Sequence, residues 1–130
     1  MHVETLSRVM VAESHNPHDW RAIAWVLEHR RRNIGARSPG SVIRYSATLR
    51  RLTPRARVIH GPLRGFSPPL VRQYARAVSL ARAWIRGRVS DPCPNATDWR
   101  GIHDRPRAWM VPVHCGPTDN VFGRRIARRS

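Results

Sequence analysis

Lysine is absent from this chain: all 24 of its basic residues are arginine, against only 8 acidic residues, for a formal charge of +16. Arginine to the exclusion of lysine reads as a coding preference as much as a binding requirement, so the excess is not by itself a nucleic-acid signature. Long apolar runs are missing too. Nothing approaches the ~20 consecutive apolar residues of a membrane span, so no span is expected. The N-terminus carries Glu4 and only the short apolar stretch Val9 to Ala12, which reads as lacking a secretory signal. The two cysteines, Cys93 and Cys115, are too few for an all-cysteine zinc site, and their spacing fits no zinc pattern. They are either one disulfide or two separate buried thiols. No internal repeat or low-complexity segment is visible.

What is present suits one globular domain over residues 1–130. The length is sufficient for a hydrophobic core, 41% of residues are apolar, and five Trp are spread along the chain. A positive field of this size attracts polyanions: nucleic acid, anionic lipid or acidic wall polymers.

Helical patterns dominate the first two thirds. Val3, Leu6 and Met10 share one face of a helix ending near Glu13. Asn16-Pro17 with Asp19 opens a second helix, whose apolar side is Trp20, Ile23, Ala24 and Leu27, and which stops before Gly35. Ser38-Pro39 signals a third, with Val42, Tyr45, Leu49 and Leu52 on one face. Ser67-Pro68 starts the longest, lined by Leu70, Tyr74, Val78, Ala81 and Ile85 and stopped by Gly87. After Val89 the prolines at 92, 94, 106, 112 and 117 exclude long helices and leave room for one short helix or hairpin. The fold expected is mainly α: about four helices and an irregular C-terminal third.

With so few acids, each can be weighed. Glu4 offsets a helix dipole, Glu28 lies one residue beyond an apolar face near Arg32, and Asp19 belongs to a helix start. Asp91, Asp98, Asp104 and Asp119 fall where Asp commonly serves turns. Glu13 differs. It sits at the C-terminal end of an apolar helix, where the helix dipole and partial burial both favour the neutral acid. A neutral carboxylic acid in a cleft is what cleavage of a glycosidic bond requires. On position alone the plainer reading, a solvated Glu at a frayed helix end, is the favoured one.

The stretch from Leu6 to Glu13, followed by Ala22-Ile-Ala-Trp-Val-Leu-Glu-His-Arg30, resembles the opening of the spore-cortex-lytic type of cell wall hydrolases, in the lysozyme-like superfamily. Glu13-Ser14 with Asn16-Pro17 is similar to the Glu-Ser motif of soluble lytic transglycosylases. Later pieces keep the family's order: Phe66-Ser67; Asp91-Pro-Cys-Pro-Asn-Ala-Thr-Asp-Trp99; and Asp119-Asn-Val-Phe-Gly-Arg124. The chain departs from the pattern in a connection after Glu13 about two residues short. His29 stands for the usual Asn, Asp98 for the usual His, and a Gly-Leu-Met-Gln motif is missing.

The resemblance implies a single lysozyme-like domain that cleaves the bond between N-acetylmuramic acid and N-acetylglucosamine in peptidoglycan glycan strands, with Glu13 as the acid. It implies a transglycosylase, closing a 1,6-anhydro ring, somewhat ahead of a muramidase. Asp98 is the candidate second carboxylate for hydrolysis. Ser14, Tyr45, Phe66, Ser67, Thr97 and Trp99 are candidate substrate-binding residues. Tyr45 has a plainer role in a helix core, Ser67 as a helix cap and Phe66 as a staple, while Trp99, in a loop among polar neighbours, is the better sugar-stacking candidate. No metal or cofactor is expected, because a helix start explains His18 and Asp19 without one. The expected setting is a phage virion, or host cytoplasm before release to the wall, with other phage or injection-machine proteins as partners. Two other readings remain. One is a nucleic-acid-binding protein using Arg30, Arg31, Arg32, Arg50, Arg51, Arg124, Arg125, Arg128 and Arg129, although these are dispersed and no specific nucleic-acid motif is present. The other is an inactive structural phage component.

Overall fold

The structure, a computed structural model, describes residues 3–35 and 67–126. The helix expected from Ser38-Pro39, and with it Tyr45 and Phe66, lies outside the described residues. Helix α1 spans Val3–Glu13, α2 Pro17–Ile34 and α3 Pro68–Ile85; strands β1 (Asp98–Arg100), β2 (Met110–Pro112) and β3 (Val121–Arg125) follow.

The helix ends form as their residues dictate. The Asn16 side chain accepts from the His18 backbone N–H at 2.9 Å, and Pro17 occupies the first turn, where its missing donor costs nothing. Gly35 closes α2 at φ 66°, a left-handed conformation that glycine adopts without strain. Helix α1 buries Leu6, Val9 and Met10, and its neighbours Val11 and Ala12 as well. It packs against both α2 and α3, which explains the breadth of its buried surface. On α3 the buried side runs through Leu70, Tyr74, Ala77, Ala81 and Trp84, and Ile85 is exposed. The expected stripe is therefore turned by one position at 78 and 85: the small Ala77 faces the core, and Trp84 meets Trp25 edge to face at 5.8 Å.

The expected four helices with an irregular last third are corrected. Among the described residues there are three helices and a three-stranded antiparallel sheet of order β1-β3-β2. Proline excludes helix from this region but not short edge strands. Pro112 ends β2, an edge strand, opposite Gly123. At Gly123 the β2 and β3 backbones approach so closely that a Cβ would fall on the Met110 side chain and lie 2.9 Å from the Val111 carbonyl oxygen. Strands of three residues carry too few alternations to announce themselves.

Phe122 of β3 and Ala96 join the helical core. So do Cys93 and Cys115, which are bonded to each other and tie the segment before β1 to the one before β3. Among the described residues no helix is long and apolar enough to cross a membrane.

Candidate active site

Glu13 is the last residue of α1, half-buried where the helix meets the sheet. Two segments from the other end of the chain hold that corner. Asp19, fully buried at the start of α2, accepts hydrogen bonds from the Ser14 hydroxyl (2.6 Å) and from the backbone N–H groups of Asp119 and Asn120 (3.1 Å each). Asn16 Nδ2 donates to the Pro117 carbonyl at 2.9 Å, and Asn120 Nδ2 reaches the Glu13 carbonyl at 3.5 Å. The 117–120 turn is thus pinned to the α1–α2 corner from several directions.

Trp99, on β1, donates its indole N–H to Glu13 Oε2 at 3.1 Å. One face of its ring carries the Arg30 guanidinium at 4.9 Å from the centroid, and the ring packs at 6.4 Å from Phe122, its partner on β3. Arg30 is in turn tied to the sheet, donating to the Thr97 carbonyl (2.5 Å) and to Asp98 Oδ1 (3.1 Å). Burial pulls the Arg30 guanidinium below its ordinary range, an effect opposed by the charges of Asp98 and Glu13. Glu13, Arg30, Trp99, Arg100, Gly101, Asp104 and Arg107 together line one open cleft.

The expected site residues divide sharply. Glu13 and Trp99 meet in the cleft although 86 positions separate them. Asp98 does not join them there, because successive side chains on a strand leave on opposite faces. Its carboxylate is buried, pairing with Arg30 and with Arg125 (3.3 Å) and accepting from the Thr97 hydroxyl at 2.8 Å. The Thr97 hydroxyl also accepts from the Arg125 backbone N–H at 3.0 Å. Ser14 is buried, its hydroxyl engaged by Asp19 and by the Asn16 backbone N–H. Ser67 stands exposed at the N-terminus of α3 and makes no side-chain capping bond. Ser14, Thr97 and Asp98 thus hold a corner and the strands together.

Sequence reasoning missed Arg100, Gly101, Asp104 and Arg107 as cleft residues. The available signal was Gly101 with Asp104 three positions on, a turn pattern: the Gly101 N–H donates to Asp104 Oδ2 at 2.9 Å, and Arg100 braces the turn through the Asp104 carbonyl at 3.0 Å. His29, which replaces the usual Asn of the resembled family, bridges the Ala96 carbonyl and Asp91 Oδ2, each at 2.6 Å, and so ties α2 to the segment before β1. Among the described residues no group of three His, Cys, Asp or Glu side chains could hold a metal ion.

Asp98→Asn is expected to lower stability by roughly 2–3 kcal/mol. Most of this comes from the Arg30 pair, since Arg125 is 65% exposed and its pair is screened. Equilibrium urea unfolding measures the loss; a shift under about 0.5 kcal/mol would show that the pairing does not hold the sheet.

Comparison of the chain with protein-family models, with curated proteins and with solved structures finds no match in any of the three.

Proposed function

We propose that this protein cleaves the glycan strands of peptidoglycan between N-acetylmuramic acid and N-acetylglucosamine, with Glu13 as the proton donor. The observation that carries the reading is the Trp99–Glu13 hydrogen bond in an open cleft. It unites two stretches that resemble the same cell wall hydrolase family and lie at opposite ends of the chain.

An indole N–H only donates, so the oxygen it meets must accept. That arrangement turns Oε2 toward Trp99 and fixes the carboxyl group in the cleft. Protonation of the glycosidic oxygen by Glu13 breaks the bond to the leaving sugar as an oxocarbenium-like centre develops on the muramic acid residue. The resulting carboxylate then takes the proton of that sugar's 6-hydroxyl, whose oxygen closes onto the anomeric carbon and gives a 1,6-anhydro end. This route needs one carboxylate, and the engagement of Asp98 in ion pairs supports it. One observation favours hydrolysis instead: Asp104 lines the same cleft and brings a second carboxylate to it.

Disulfide bonding of Cys93 to Cys115 suits an oxidising setting outside the cytoplasm. That agrees with an enzyme released to the wall by lysis or from a phage particle.

Purified wall suspensions should lose turbidity on addition of the protein, and mass spectrometry of the released fragments should find anhydro-muramyl ends. Reducing ends in their place would assign hydrolysis. Intact walls together with a salt-sensitive shift of DNA would replace the enzyme reading with nucleic-acid binding.

A further inference from the structure

Three guanidinium groups and two carboxylates line the cleft, and the guanidiniums are not equivalent. Arg30 is committed to Asp98, the Thr97 carbonyl and the face of Trp99. Arg100 is turned back on its own loop, donating to the Gly101 and Asp104 carbonyls. Arg107 makes no ion pair or side-chain hydrogen bond among the described residues. It lies over the ring of Trp109 at 5.3 Å, beside Arg125, which stacks on the same ring at 4.7 Å. Stacking occupies the flat face of a guanidinium and leaves its N–H edge available, the edge that matches a carboxylate with two parallel hydrogen bonds. Trp109 is 36% exposed, so this arrangement stands at the surface, and Arg107 is its member that lines the cleft. Arg107 thus stands exposed in the cleft lining beside Trp109, with no counter-ion among the described residues.

We propose that Arg107, held on Trp109 at the rim of the cleft, binds a carboxylate carried by the substrate glycan. The cleft would thereby select strands bearing the free lactyl carboxylate of N-acetylmuramic acid over uncharged strands. The inference rests on the reading of this cleft as the glycan-cleaving site. A phosphate polymer fits less well, because its charge recurs at every unit and would meet Glu13 and Asp104 in the same cleft. A peptide-free strand carries its carboxylate on the lactyl arm of every second sugar, set apart from the glycosidic oxygen, so a carboxylate held by Arg107 is not part of the bond at Glu13.

The test uses peptide-free glycan strands, native or with their carboxylates converted to neutral methylamides. Wild-type protein should cleave the native strands at least about tenfold faster, the scale of one charge-assisted hydrogen bond. Arg107→Gln should lose about that factor on native strands and treat both substrates alike, with an unchanged circular dichroism spectrum. Trp109→Leu should lose part of the preference, since it frees Arg107 without removing it.

Equal wild-type rates on the two substrates, or a preference that survives in Arg107→Gln, would overturn the proposal. So would displacement of native strands by single-stranded oligonucleotide through Arg107. Binding of both strands to the Glu13→Gln protein separates the two layers of the argument. Preferential binding of native strands by a wild-type protein that cleaves neither would sink the glycosidase reading and keep the Arg107 site. Cleavage without preference would do the reverse. Neither binding nor cleavage removes both.

Discussion

Glu13→Gln is expected to reduce wall cleavage by ~10²–10⁴-fold, the usual contribution of a positioned general acid, while leaving the protein folded. Glutamine keeps the length and shape of the side chain, and its amide oxygen can still accept the Trp99 indole N–H that meets Glu13 Oε2 at 3.1 Å. What it lacks is a transferable proton. Because the same carboxyl group acts as acid and then as base in the anhydro-forming route, no other step compensates. Rates of muropeptide release and the thermal unfolding midpoint should be measured together. A variant that retains more than about a tenth of the wild-type rate would remove Glu13 from the mechanism. A variant that unfolds early would show instead that the charge itself stabilises the corner.

Asp19→Ala should produce the largest loss of stability, on the order of 3–5 kcal/mol. The carboxylate is fully buried and accepts from three donors, the Ser14 hydroxyl and the backbone N–H groups of Asp119 and Asn120. Alanine leaves all three without this partner; the buried Ser14 hydroxyl carries the full cost of ~1–3 kcal/mol, and water relieves part of it at the part-buried Asp119 and Asn120 N–H groups. Asparagine is a poor substitute, since its NH₂ group can only donate where donors already converge. Denaturant midpoints for both variants check the expectation, and a loss below about 1 kcal/mol would mean that the 117–120 turn holds itself. Activity should fall with stability, because this turn packs on the end of α1 that carries Glu13.

Local chemistry made much of the helical part legible. The caps at Asn16-Pro17 and Gly35 and the apolar spacing of Leu6, Met10, Trp20, Ile23 and Leu27 are short-range signals, and α1 and α2 follow them. The same short-range logic turned the stripe on α3 by one position, because periodicity alone does not know that Trp84 will find Trp25. Glu13 and Trp99 were each legible as single residues: a carboxyl group at the end of an apolar helix, and an aromatic ring among polar neighbours.

Their meeting belongs to the tertiary structure. It depends on the pairing of β1 with β3, on the grip of Asp19 on the 117–120 turn, and on Arg30 reaching from α2 to Asp98. None of these contacts lies within a helical turn of sequence. Strand pairing also decided which of two adjacent residues faces the cleft. Asp98 and Trp99 were both candidate site residues in the sequence, and the alternation of side chains across β1 sent one inward to two arginines and the other to Glu13. For Arg107, the sequence shows one arginine among 24. Its distinction is that folding supplied a counter-ion or carbonyls to Arg30 and Arg100 at the same cleft and, among the described residues, the face of a tryptophan to Arg107.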